Sequence, residues 1–194
     1  MKKIIFGLYL LFCLVLVFYV ALPNFDFPKP PPDSVQSKEP ADMEDSLRQA
    51  YFTNYSRAEV LEWYESQFRK SPFLGISLPT YLLNYPPEES QSIIRDQTRS
   101  TFLQEIVHPF RETVFVNGYE PAKEDDKNKI IIDGVRWRQK IIVKYIPTNV
   151  VVREIILLAG LVSFPVLFII FGKLMSSLRG NVKNIATLFK HKDF

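Results

Sequence analysis

Two long stretches of hydrophobic residues lie near the two ends of the chain. Residues 4–22 and residues 155–172 contain no charged side chain. A helix of about 20 apolar residues crosses the ~30 Å hydrocarbon core of a bilayer. We therefore predict two transmembrane helices, residues 4–22 and residues 153–172. Pro165 lies inside the second and predicts a kink, which bilayer helices tolerate when a neighbouring group satisfies the freed carbonyl.

The first stretch also has the positively charged start of a secretory signal peptide, with Lys2 and Lys3. Its apolar run is longer than the roughly 7–15 residues of a signal core, and Ala21 has no A-x-A cleavage pattern around it. We therefore expect an uncleaved membrane anchor. Cys13, within the same run, is the only cysteine, so an intramolecular disulfide is excluded.

Residues 23–44 follow the first hydrophobic stretch and are rich in proline. Such segments favour the extended polyproline II conformation. We interpret residues 23–44 as a semi-rigid stalk that lifts a domain off the bilayer. An alternative is a peptide ligand for an aromatic groove, because Pro28 and Pro31 fit the P-x-x-P pattern.

The next segment, residues 45–152, is long enough to fold as one domain. It starts with an extended stretch, residues 47–53, and continues with a capping box formed by Ser56 and Glu59. Apolar residues at helical spacing then predict a first helix. The side chains expected on its buried face are Val60, Leu61, Tyr64 and Phe68.

A second helix is predicted after a loop or short strand around residues 76–83. Pro87 suits a first helical turn, and Glu88 and Glu89 complement the positive end of the helix dipole. Apolar residues extend this predicted helix to Val107.

The last third of the domain has the pattern of β-strands. Residues 112–119 alternate between apolar and polar, and Asp133–Gly134 is a strong hairpin signal. The strand after it, residues 134–147, leads towards the second hydrophobic stretch. The sequence therefore predicts an α+β protein. In it, two transmembrane helices flank one small extracytoplasmic domain with about two helices packed on one face of a mainly antiparallel sheet.

Charge near the two hydrophobic stretches predicts the membrane topology. Lys2 and Lys3 precede the first, and the tail, residues 173–194, is basic and amphipathic. Positively charged flanks stay on the cytoplasmic side. We therefore expect residues 1–3 and 173–194 in the cytoplasm and the central domain in the periplasm or outside the cell. The tail fits a helix lying on the inner leaflet or docking on a partner.

Four basic side chains alternate with apolar ones along the last strand of the domain: Arg136, Arg138, Lys140 and Lys144. They either face water or contact anionic headgroups or an acidic envelope polymer. Nucleic acid is not expected, because residues 45–152 carry as many acidic as basic side chains.

A second basic pair, Arg95 and Arg99, stands one helical turn apart with Asp96 between them. It could grip an anion or form part of a solvent-facing turn. His108, at the end of the predicted second helix, fits a helix C-terminal cap better than a general base. The residues match no zinc, EF-hand or phosphate-binding pattern. We expect no catalytic residue, no metal and no cofactor.

These features favour a non-enzymatic integral membrane protein that displays an extracytoplasmic interaction domain. It would be an accessory or scaffold subunit of a cell-envelope assembly. The expected partners are the lipid bilayer and a membrane or envelope protein, with self-association left open. The alternative is an extracytoplasmic ligand sensor or a regulator that acts through a membrane partner. In layout alone, the order of helix, outer domain, helix and short tail resembles bacterial polysaccharide chain-length regulators, which are polysaccharide co-polymerases.

Overall fold

The computed structural model describes residues 2–94, 99–122 and 128–190. The chain divides into two compact units. The terminal unit comprises the chain before Val20 and after Val150, and the central unit comprises Val20–Val150.

The terminal unit consists mainly of two apolar helices, α1 (Lys2–Ala21) and α5 (Val150–Lys190). Both are long and apolar enough to cross a membrane. α5 continues through residue 172, where the sequence predicted a change from a spanning helix to a separate tail. Because nothing breaks the helical backbone there, the tail begins as an extension of the same helix.

Pro165 lies inside α5. Proline has no N–H, so the carbonyl of Leu161, four residues earlier, loses its usual helical donor. The hydroxyl of Tyr9 on α1 donates a hydrogen bond to this carbonyl. A polar contact thus joins the two helices of the terminal unit at the point where α5 lacks an internal hydrogen bond.

The described part of the central unit contains eight strands. They are β1 (Val35–Gln36), β2 (Arg48–Thr53), β3 (Tyr81–Tyr85), β4 (Phe102–Val107), β5 (Thr113–Tyr119), β6 (Ile130–Ile132), β7 (Val135–Trp137) and β8 (Gln139–Ile146). Six of them form an antiparallel sheet in the order β1–β2–β8–β5–β4–β3. β6 and β7 form a separate hairpin. The predicted α+β class with a mainly antiparallel sheet is confirmed.

The hairpin between β6 and β7 turns at the residues that the sequence indicated. Asp133 has a φ of 50° and Gly134 a φ of 78°. Two successive positive φ angles are what a two-residue turn of type I′ requires, and Gly134 adopts its angle without steric strain. The local signal was therefore sufficient here.

Three helices accompany the sheet in the described part of the central unit: α2 (Pro40–Met43), α3 (Arg57–Phe68) and α4 (Ser90–Ile93). α3 starts at the predicted capping box, in which the backbone N–H of Ser56 donates to Glu59 Oε2 at 2.7 Å. Its buried side chains are those expected from the helical spacing: Val60, Leu61, Tyr64 and Phe68.

The two faces of the sheet carry separate apolar clusters. The larger cluster joins α3 to Ile106, Val116 and Ile141. The smaller cluster joins Ile94, directly after α4, to side chains of the sheet that include Leu103 and Ile142. The prediction of two helices on one face is therefore wrong, because the chain around α4 covers the opposite face.

The second predicted helix is also too long. The chain is helical from Pro87 to Ile93, but Phe102–Val107 forms β4. β4 lies between two other strands and is covered on both faces, so apolar residues occupy both sides of it. A short apolar run of this kind has no clear period, and pattern alone does not separate a buried strand from a buried helix.

The proline-rich segment belongs to the central unit instead of standing free as a stalk. Phe25 stacks on Phe68, with their ring centroids 4.9 Å apart, and Phe27 packs against the same cluster. The indole N–H of Trp63 donates to the carbonyl of Lys29 at 3.0 Å. Polyproline II backbone makes no internal hydrogen bonds, so side chains and carbonyls of this segment are free to bind the surface of α3.

Candidate functional site

The strand registers define two ends of the sheet in the central unit. At one end lie Val107, Thr113 and Ile146, where β8 leaves the sheet. We call this the exit end, because four residues after Ile146, at Val150, the chain enters α5. At the opposite end, called the distal end, lie Phe102 and Gln139.

The four basic residues singled out in the sequence do not form one surface. The chain between residues 134 and 147 is two strands, since β7 ends at Trp137 and β8 begins at Gln139. Arg136 and Arg138 therefore lie beyond the distal end. Lys140 and Lys144 lie on β8, on the sheet face opposite α3, while Ile141 and Val143 enter the α3 cluster.

The two lysines of β8 are engaged within the central unit. Lys140 Nζ lies 2.7 Å from Glu39 Oε2 and 2.7 Å from Asp42 Oδ2. Lys144 Nζ donates to the carbonyl of Ile93 at 2.6 Å. Their positive charges fix the segment before β2 and the end of α4. Of the four basic residues, Arg136 and Arg138 are the ones that are exposed.

The distal end carries a cleft of about 350 Å³, lined by Asn54, Glu120, Pro121, Ala122, Lys129, Ile130, Arg136, Trp137 and Arg138. Arg138 Nε donates to Glu120 Oε1 at 2.7 Å, and its backbone N–H donates to Asn54 Oδ1 at 3.0 Å. The indole N–H of Trp137 is buried without a hydrogen-bond partner among the described residues. Trp137 and the exposed Arg136 thus both line the cleft.

The second predicted anion site is described only in part. Arg95 and Asp96 lie outside the described residues. Arg99 donates from Nη1 to Asn128 Oδ1 at 2.6 Å. The pairing of Arg95 with Arg99 therefore stays a prediction.

His108 is not a helix cap, because it follows strand β4. Its side chain is fully buried; Nδ1 lies 3.2 Å from Glu112 Oε1 and Nε2 lies 2.9 Å from the carbonyl of Phe68. Arg111 Nη2 reaches the same Glu112 oxygen at 3.0 Å and the carbonyl of Pro23 at 2.8 Å. We call His108, Arg111 and Glu112 the buried polar cluster.

The buried polar cluster keeps a carboxylate charged inside the fold. Burial by itself would raise the pKa of Glu112, but hydrogen bonds from His108 and Arg111 and the charge of Arg111 outweigh it. The net effect lowers the pKa of Glu112 to about 2. The cluster ties the segment around Pro23 and α3 to the β4–β5 turn.

A feature that sequence patterns did not indicate is the exposed edge of the sheet at β3. β3 pairs with β4 on one side, and none of the strands in the described part of the chain pairs with its other side. Tyr81, Leu82 and Leu83 are exposed, and the strand contains no charged residue. Natural sheets usually protect an edge by a very short strand, a charge or a bulge. The opposite edge follows this rule, because β1 has only two residues.

The last residue of β3 stays uncharged near neutral pH. The hydroxyl of Tyr85 donates to Glu105 Oε2 at 2.6 Å. This hydrogen bond, together with partial burial and the nearby negative charges of Glu105 and Glu89, raises the pKa of Tyr85 to about 12. The whole edge strand therefore presents a neutral, mostly apolar surface.

Within the described ranges, no three His, Cys, Asp or Glu side chains come together in a way that could hold a metal ion. Comparisons with protein-family models, with curated proteins and with solved structures find no match to this chain. Function is therefore inferred from the exposed β3 edge, the distal cleft and the apolar helices.

Proposed function

We propose that this chain is a non-enzymatic, two-pass integral membrane protein that displays an interaction domain on the extracytoplasmic side. α1 and α5 are its anchors, and both termini lie in the cytoplasm. It acts as an accessory or scaffold subunit of an envelope assembly. The observation that carries the proposal is the exposed, uncharged edge at β3, since an unprotected edge is a ready template for pairing with another strand.

The occupant we propose for this edge is the β3 strand of a second copy. Antiparallel pairing about a two-fold axis through Leu83 places Tyr81 against Tyr85 and Leu82 against Asn84. No like charges meet in this register, because residues 81–85 are uncharged. The short β1 at the other edge gives no comparable template, so the pairing closes at two copies.

Membrane anchoring favours such a small interface. A contact of five residues per copy is weak in solution, but two copies held in one bilayer meet at a high effective concentration. Envelope partners then bind a paired domain instead of a single one, which suits a scaffold.

The test is a cysteine cross-link in the full chain, in a Cys13→Ala background. A two-fold pairing brings residue 83 opposite its own copy, within the Cα distance that a disulfide needs. We expect Leu83→Cys to form a disulfide-linked dimer in oxidised membranes. Val135→Cys is the matched control, because Val135 is an apolar strand residue of similar exposure on β7.

Two results would contradict the pairing. Equal dimer yields from the two cysteines would mean random collision. A photo-cross-linker at residue 83 that captured only a different protein would replace the second copy by a heterologous partner. Leu82→Lys, which adds a charge to the edge, should lower the disulfide yield at residue 83.

The distal cleft supports a second candidate function, an extracytoplasmic sensor for an anionic ligand. Arg136 and Trp137 both line the cleft, and Arg136 is exposed. Titration of the full chain with an acidic oligosaccharide should change the fluorescence of Trp137, and Arg136→Ala should weaken this response. An unchanged titration in Arg136→Ala would remove this candidate.

A further inference from the structure

We propose that the exit end of the central unit inserts two apolar loop tips into the interfacial layer of a lipid bilayer. The proposal rests on the membrane anchoring described above and is independent of the β3 pairing. The first tip is the β4–β5 turn and the second is the loop that follows α3.

The first tip is Phe110. It lies in the turn that joins Val107 to Thr113, and its side chain is 75% exposed. Its φ is 62°, a conformation that bulky residues rarely adopt. His108, two residues before Phe110, and Arg111, directly after it, are both buried. The turn thus holds the aromatic ring outwards while these polar side chains lie inside.

The second tip is Leu74. The loop leaves α3 at Phe68, whose carbonyl lies 2.9 Å from His108 Nε2, so its base is beside the first turn. Hydrogen bonds from Ser71 N–H to the carbonyl of Ile76 and from Leu78 N–H to the carbonyl of Arg69 close the loop. Leu74 is 72% exposed and has a φ of 61°.

Both tips lack charged side chains, and the exposed residue at each tip has a positive φ. Residues 71–78 and 108–110 contain no Lys, Arg, Asp or Glu. Phe73 and Ile76 are also exposed beside Leu74. A bulky apolar residue held outwards at positive φ is unfavourable in water, and local strain of this kind is found where a segment has a function.

Chain connectivity selects the bilayer as the occupant. Ile146 pairs with Thr113 in the strand next to the first tip, and α5 begins four residues later at Val150. A trans chain spans 3.8 Å between successive Cα atoms, so the start of α5 lies within about 15 Å of Ile146. On the other side, Arg111 binds the carbonyl of Pro23, two residues after the end of α1. The two chain segments that connect to α1 and α5 thus both lie at the exit end of the central unit.

The test measures lipid contact in the full chain. Single cysteines at Phe110 and Leu74, in a Cys13→Ala background, carry an environment-sensitive fluorophore. The protein is reconstituted into phosphatidylcholine vesicles that contain a nitroxide lipid labelled near the headgroup. Val135→Cys, an exposed apolar position beyond the distal end, is the matched control. Phe168→Cys, an exposed position in α5, reports the anchor.

We expect a blue-shifted emission and several-fold stronger quenching at residues 110 and 74 than at residue 135. Quenching at residue 168 with none at residues 110 and 74 would overturn the inference and leave the anchoring intact. Loss of quenching at residue 168 as well would overturn both. A dimer at Leu83→Cys in any of these cases is a separate result, because β3 is not labelled.

Discussion

The two ends of the central sheet have opposite distributions of charge. At the exit end, His108, Arg111 and Glu112 are buried while Phe110 is exposed. At the distal end, Arg136 and Arg138 are exposed beside the half-buried Trp137. Domains in water normally bury apolar groups and expose charge. The distal end exposes its arginines, whereas the exit end buries its charged cluster and exposes Phe110. The exit end thus has the arrangement expected of a surface that meets a less polar medium.

The basic residues of this region lie at different distances from the exit end. Sequence distance placed Lys144 and its basic neighbours close to the second hydrophobic stretch. In the structure, β8 runs towards the exit end, and at about 3.3 Å per residue its first residue, Gln139, lies about 23 Å from Ile146. Arg136 and Arg138 are farther still from Ile146. The headgroup or polymer contact predicted for them stays a prediction.

The largest effect should come from breaking the buried polar cluster. Glu112→Gln removes a carboxylate that both His108 and Arg111 contact, and it leaves their polar groups without a charged partner. Removal of one member of a buried ion pair costs about 3–5 kcal/mol. Chemical denaturation of the full chain in detergent should show this loss. A loss of unfolding free energy smaller than that of Glu120→Gln, the distal variant, would contradict the stabilising role of the cluster.

The same carboxylate should make stability depend on pH. The pKa of Glu112 is about 2 in the folded chain and near 4.5 without the fold. A lowered pKa means that its stabilisation is complete above about pH 4.5 and is lost as the pH falls through about 2. The free energy of unfolding, measured from about pH 6 down to about pH 2, should fall less steeply in Glu112→Gln than in the parent chain.

A smaller loss is expected from Gly118→Ala at the distal end. A Cβ at residue 118 would lie 2.1 Å from the Phe102 ring, which covers this glycine across the β4–β5 pair. Overpacking of this kind costs about 1–3 kcal/mol. Thermal unfolding of the full chain measures it. Phe102→Leu in the same chain should recover part of the loss, and no recovery would mean that the clash is not the cause.

The smallest effect should come from Glu120→Gln, which is the distal counterpart of Glu112→Gln. Glu120 pairs with Arg138 on the surface at 2.7 Å. Exposed pairs contribute about 0.2–1 kcal/mol and weaken with salt. The two Glu→Gln variants, measured in parallel at low and high salt, therefore sharpen the comparison of the ends. Equal losses would contradict it.

Local signals in the sequence predicted local structure well. Ser56 and Glu59 indicated the start of α3, and Asp133–Gly134 indicated the β6–β7 turn, because each signal acts within a few residues. β4 and the packing of Phe25 depend on residues that are distant in the sequence. The sequence pattern therefore predicted β4 as part of a helix and Phe25 as part of a stalk. The exposed edge of β3 depends on which strands pair, and no pattern within residues 81–85 indicates that its other neighbour is missing.

The contact between Tyr9 and Leu161 has a consequence for maturation. If a peptidase removed α1, the Leu161 carbonyl would have neither a helical N–H nor the Tyr9 hydroxyl as a donor. In the membrane-spanning arrangement that we propose, an unsatisfied carbonyl is costly. Pro165→Ala would return a backbone donor to that carbonyl. A chain cut after α1 should therefore be more stable with alanine at position 165 than with the native proline.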